Sequence, residues 1–181
     1  MIYIPLGMRC STTIIVRYEL GLINVSLPFD WCQMTAESMA RWMDKKLTKE
    51  FLEDFFKEFV DKKNELGDWF PHETFWDERL ITKYLRRSER FDNFLSMDED
   101  KTFFIMCGKP SDLELFYPII KRRSKGNIKF ITVNVGQALD ENIQTDLTVE
   151  LDGTIEDGWS IWDKDVVSKL KTLLDDNTQQ K

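Results

Sequence analysis

The chain has 181 residues, 42% hydrophobic and 31% charged, which excludes a disordered polymer and suffices for one domain with a substantial core. Its 32 acidic against 25 basic residues give a net charge of −7, the wrong sign for a general nucleic-acid binder. No stretch approaches the roughly 18 uncharged apolar residues of a membrane helix, and the N-terminus lacks the basic and long apolar regions of a secretory signal. The three cysteines, Cys10, Cys32 and Cys107, have no metal-type spacing and read as reduced thiols of a cytoplasm-like compartment. A single domain over residues 1–175 and a frayed tail at 176–181 are expected.

In chain order, IYIPL at residues 2–6 reads as a short buried strand. Ser11 or Thr12 then caps a helix that Gly21 ends. NVSLPFDW follows as a loop or short strand, with Pro28 blocking regular pairing. Over residues 36–62 Met39, Met43, Leu47, Phe51, Phe55 and Phe59 recur every fourth position, predicting an apolar helix face with a break at Thr48. ELGDWFPHE is a loop, and Thr74 is expected to cap a second long helix reaching about Leu95.

The second half alternates strand and helix. TFFIMCG at 102–108 is a buried strand, and Ser111-Asp112-Leu113-Glu114 matches a capping box opening a helix to about Ser124, with Pro118 inside it. IKFITVNVG at 128–136 and LTVELDG at 147–153 read as strands, and Asp163 caps a last helix through Leu174. This order predicts an α/β fold: a mainly parallel open sheet with flanking helices and a helical insertion at residues 36–95. Ligands bind such sheets at the carboxyl ends of the strands, where Cys10, Cys107 and Asn134 fall.

Cys10 lies between a strand and a helix start, where helix-end N–H groups and nearby Arg9 favour the nucleophilic thiolate. The competing reading is a small buried turn residue. A phosphatase loop is a poor match: it needs an arginine six positions after the cysteine, whereas Arg17 is seven positions on, and STTIIV lacks cradle glycines. His72 is the sole histidine, so any imidazole base partnering Cys10 must be His72. Its surroundings, WFPHETFW, suit aromatic packing equally well.

Lys83, Arg86, Arg87 and Arg90 offer guanidinium groups to a carboxylate or phosphate, although ion pairing on a solvated face is the commoner outcome. Asp30, between Phe29 and Trp31, should be half-buried and need a partner, either one of these arginines or His72. Cys32 and Cys107 read as packing residues, and Trp159 and Trp162 as a core anchor or pocket wall.

Taken together, IPLGMRCSTTIIVRYELGL, LPFDW, a histidine after a long helical block, KYLRRSERFDNFL and the strand TFFIMC resemble a bacterial and viral family of unknown function described as papain-like cysteine peptidases. The likeness runs in order over about residues 3–135. It implies Cys10 as nucleophile and His72 as base; family members often carry aspartate after the histidine, where this chain has Glu73. The third, orienting residue is left between Asp30 and Asn134, and Arg86, Arg87, Arg90 and Asn134 are the candidate substrate-binding residues. A papain-like likeness also raises an α+β alternative with an antiparallel sheet.

The expected function is thus a cysteine-dependent hydrolase, peptidase or acyl transferase acting on a peptide or small acyl substrate, an acidic one if the arginines bind it. No cofactor or metal is implied, and neither nucleic acid nor membrane is an expected partner. The alternative is a non-enzymatic binding or structural protein, virion-associated by the family's presence in viruses, with an unused Cys/His site.

Overall fold

The computed structural model describes residues 1–7, 10–107, 110–135, 147–151, 167, 168, 170–172 and 174. Among the described residues four strands form one sheet: β1 (Ile2–Gly7), β2 (Lys101–Cys107), β3 (Ile128–Val135) and β4 (Leu147–Leu151). They lie in the order β1-β2-β3-β4 and every neighbouring pair is parallel. The α/β expectation with a parallel open sheet therefore holds, and the antiparallel alternative does not describe these strands. Parallel neighbours need long crossovers, and the first of these carries the helical insertion.

Alternation along the strands sorts the core into two faces. Ile4, Leu6, Phe103, Ile105 and Phe130 belong to a large cluster with the insertion helices. Phe104 and Ile131 point the other way, packing with Ile15, Val16, Val167 and Leu170. Helical residues thus cover both faces, which an all-parallel sheet requires because it has no face suited to water.

The elements after β1 are α1 (Ser11–Ile14), a π-helical turn (Ile15–Glu19), α2 (Ala36–Asp44), α3 (Lys49–Lys57) and α4 (Glu78–Ser96); α5 (Pro110–Arg123) joins β2 to β3. Thr48 breaks the insertion as expected, its hydroxyl accepting from the Phe51 N–H at 3.2 Å. The expected helix over 36–62 ends earlier, at Lys57, and Asp61 and Lys62 adopt left-handed backbone in the turn that follows.

Three further points differ from the sequence reading. Asp77, not Thr74, caps α4, accepting from the Arg79 N–H at 2.9 Å. Residues 74–76 stay outside the helix while the Trp76 ring packs on Phe56 and Phe59. The carboxylate of Asp77 also meets the positive helix end better than a hydroxyl does. α5 starts at Pro110, placing Ser111 in its first turn, not at its cap; proline suits that position because its missing N–H would have no helical partner. Finally, the helix after Cys10 is not uniformly α. Its run of β-branched residues, Thr12 to Val16, favours α poorly, and the chain widens into a π turn in which the Leu20 N–H reaches Ile15 O at 2.9 Å. Gly21, with φ of +64°, ends it.

Asp163, Trp159, Trp162 and the tail at 176–181 lie outside the described residues.

Candidate functional site

Cys10 stands just past the carboxyl end of β1, half-exposed and not in a disulfide. Its carbonyl accepts from the Ile14 N–H at 3.0 Å, so it closes the first turn of α1. β1 is the last strand on its side of the described sheet, and Cys107 pairs with Asn134 across the same carboxyl edge. The three expected residues therefore share that edge at the level of the backbone; the side chains of Cys107 and Asn134 lie outside what is described.

The segment from Asn24 to Cys32 is bound to this helix. The Thr13 hydroxyl donates to Asp30 Oδ1 at 3.1 Å, and the Leu27 N–H donates to Asp30 Oδ2 at 2.7 Å. Arg17 donates to Ser26 Oγ at 3.1 Å and to the Asn24 carbonyl at 3.2 Å, while Arg90 reaches the Ser26 carbonyl from α4. Asp30 is fully buried and both its oxygens are engaged. Burial pushes its carboxyl up to about 6, against the opposing effects of the Leu27 N–H, the Thr13 hydroxyl and the charges of Arg87 and Arg17. Its work is to fasten the PFDW turn to α1.

Cys32, next but one, is buried, and its thiol donates to the Phe29 carbonyl at 3.4 Å. Burial holds that thiol well above the ordinary range; Asp30, Asp68 and Cys10 add to the rise and Arg87 opposes it. It is a packing residue, and a poor nucleophile.

His72 belongs to a loop whose backbone is anchored on both sides. Gln33 and Trp69 exchange backbone hydrogen bonds of 2.7 Å each. Buried Asp68 accepts from the Thr35 N–H at 2.8 Å, the Ser38 hydroxyl at 2.6 Å and Asn64 Nδ2 at 3.0 Å. After His72, Glu73 turns inward: it accepts from Lys83 Nζ at 2.9 and 2.7 Å and from the Tyr84 hydroxyl at 3.1 Å. The imidazole itself is exposed and meets the Trp31 ring edge-on, centroids 5.6 Å apart at 77°. Trp31 in turn packs against Tyr18, at 6.4 Å, on the π turn that continues the Cys10 helix.

The cationic group divides. Arg86 is exposed, whereas Arg87 is 6% exposed and lies 3.8 Å from Glu73, its guanidinium over the Tyr84 ring. Arg87 Nη1 is buried with no hydrogen-bond partner among the described residues. Lys83 holds Glu73 and Arg90 holds Ser26. The four are not gathered into one anion-binding face; Lys83 and Arg87 brace the His72 loop, and Arg90 the segment before the PFDW turn, against α4.

Trp31, Tyr18 and Asp68 were not singled out from the sequence. For Trp31 the available signal was its place between Asp30 and Cys32, in a chain whose one histidine lies among aromatics. Among the described residues no cluster of metal-ligating side chains occurs and no helix is long and apolar enough to cross a membrane. No protein-family model, curated protein sequence or solved structure matches this chain.

Proposed function

We propose that the protein is a cysteine-dependent hydrolase or acyl transferase in which Cys10 attacks a carbonyl and His72 moves the proton. One observation carries the reading: the half-exposed Cys10 thiol begins the helix whose Tyr18 touches Trp31, and the only imidazole of the chain rests on that same Trp31.

His72 takes the Cys10 proton, and the thiolate forms a C–S bond to the carbonyl carbon. N–H groups of the first turn of α1, which have no acceptor within the helix, receive the developing oxyanion. The tetrahedral intermediate expels the amine or alcohol, which leaves with the proton from His72. Water, deprotonated by His72, then cleaves the thioester and restores the thiol; an acyl transferase uses a second nucleophile at this step. The substrate class is a peptide or small acyl compound. With Lys83, Arg87 and Arg90 engaged internally, support for an acidic substrate reduces to exposed Arg86.

A second reading, a binding or structural protein with an idle site, is favoured by the absence, among the described residues, of any hydrogen bond to the His72 ring. Alkylation of Cys10 by iodoacetamide, read by peptide mass spectrometry, separates the two. The enzyme reading expects the wild-type rate to exceed that of a model thiol at neutral pH and to fall about tenfold or more in His72→Ala. An ordinary rate that His72→Ala leaves unchanged supports the second reading.

A further inference from the structure

A nucleophile and base need a third group to hold the imidazole, and the carboxylate expected in that role is committed elsewhere. Asp30 is fully buried, with one oxygen on the Thr13 hydroxyl and the other on the Leu27 N–H. Glu73 faces away from solvent onto Lys83 and Tyr84, although it follows His72 directly. The loop backbone around His72 is fixed by Asp68, the Gln33–Trp69 pair and Glu73. That leaves the imidazole's own torsions, and among the described residues the ring contact made to it is that of Trp31.

Trp31 is itself well placed to act as a reference surface. Its backbone follows Asp30 in a turn tied to α1 by Thr13, and the stretch just before that turn is tied to the π turn by Arg17 at Ser26. Its ring system meets both Tyr18, centroids 6.4 Å apart, and His72, centroids 5.6 Å apart. The indole therefore links Tyr18, eight residues after Cys10 on the same helical segment, to the loop that carries His72. Edge-to-face aromatic contacts favour a defined ring orientation. An indole, rigid and with only two side-chain torsions, is a stiff spacer.

We propose that Trp31 is the positioning residue for His72, setting the imidazole relative to Cys10 by ring contact in place of a hydrogen-bonded carboxylate. This rests on the reading of Cys10 and His72 as nucleophile and base. Because His72 is the sole histidine, its ring protons form a single resolvable set in the spectrum of the full chain. Wild-type protein should show nuclear Overhauser contacts between the imidazole and an indole. Trp31→Leu should abolish those contacts and slow iodoacetamide alkylation of Cys10 about tenfold, as much as His72→Ala does. The double variant should be no slower than either single one, since the two residues act in one path. Trp31→Phe, which keeps an aromatic edge, should recover at least about a third of the wild-type rate.

Absence of the contact in wild-type protein overturns the proposal, and that measurement needs no variant to fold. So does Trp31→Leu alkylating at the wild-type rate, or rate losses that multiply in the double variant. If His72→Ala is slow and Trp31→Leu is not, positioning by Trp31 fails while the base assignment stands; if His72→Ala matches wild type, the base assignment itself fails.

Discussion

The Thr13 hydroxyl donates to Asp30 Oδ1 at 3.1 Å, joining the first turns after Cys10 to the PFDW turn through a carboxylate that no solvent reaches. The cost of this arrangement depends on pH. The Asp30 carboxyl is raised from 3.8 to about 6 by burial, so the folded chain binds its proton more tightly than the unfolded one. The stabilisation that goes with the proton is complete below 3.8 and is lost as pH rises through about 6. The difference corresponds to about 3 kcal/mol. Asparagine can keep the geometry, with Oδ1 toward the Leu27 N–H and its amide donating to the Thr13 oxygen. Asp30→Asn should therefore flatten the loss of stability between pH 4 and 7 and match or exceed wild type at pH 7. Urea unfolding across that range checks this; an unchanged slope in the variant would show that Asp30 is not the titrating group.

The same pair shows what was readable from sequence and what was not. Burial of Asp30 followed from its aromatic neighbours, but its partner did not, because Thr13 and Asp30 meet only through the tertiary fold. Local signals served better. Thr48 caps α3 and Gly21 ends the helix after Cys10, since cap chemistry and left-handed backbone are decided within a few residues. Strand–helix alternation was enough for a parallel sheet. The arginines failed at the opposite extreme: helical spacing says which residues share a face, not that Glu73 from another segment will draw Arg87 into the interior. The π turn was invisible as well, because β-branched residues lower α propensity without specifying what replaces it.

Glu73 is where the candidate base is fastened to the frame. Its side chain is 4% exposed and carries Lys83 at 2.7 Å and Arg87 at 3.8 Å. Removing it strands one buried guanidinium whose Nη1 already lacks a hydrogen bond among the described residues. Glu73→Ala should cost about 3–5 kcal/mol, the range for breaking a buried pair from one side. Lys83→Ala, at a side chain one-third exposed, should cost no more than about 1 kcal/mol. Denaturant midpoints at constant m-value measure both, and equal costs would contradict the burial asymmetry.

The two described cysteines, neither of them in a disulfide, should differ sharply in reactivity. Cys10 is half-exposed beside the carboxyl edge of the sheet; Cys32 is buried, donates to Phe29 and has its thiol held high by burial. Native-state alkylation followed by peptide mapping should modify Cys10 at least about tenfold faster than Cys32. Unfolding in urea should bring the two rates together. Comparable native rates would mean that the turn from Pro28 to Cys32 opens readily, and the frame assigned to Trp31 would lose its rigidity.

Gly126 tests the frame from the far end of the sheet, away from any chemistry. It follows α5 with φ of +71°, and a Cβ there would lie 2.6 Å from the Glu99 carbonyl oxygen. That oxygen also accepts from Lys101 Nζ at 2.8 Å, within a group of three carbonyls that includes Met97 and Lys125. Backbone cannot move aside as a side-chain tip would. Gly126→Ala thus combines left-handed strain of about 1 kcal/mol with a steric clash, and should cost about 2–4 kcal/mol in all. Gly67, at φ of +90° with open space around its Cβ position, provides the control. Gly67→Ala incurs the strain alone and should cost about 1–2 kcal/mol. Thermal unfolding of the two variants side by side gives the comparison, and a Gly67→Ala loss equal to or larger than that of Gly126→Ala would show that the close approach of the α5–β3 turn to Glu99 does not exist in solution.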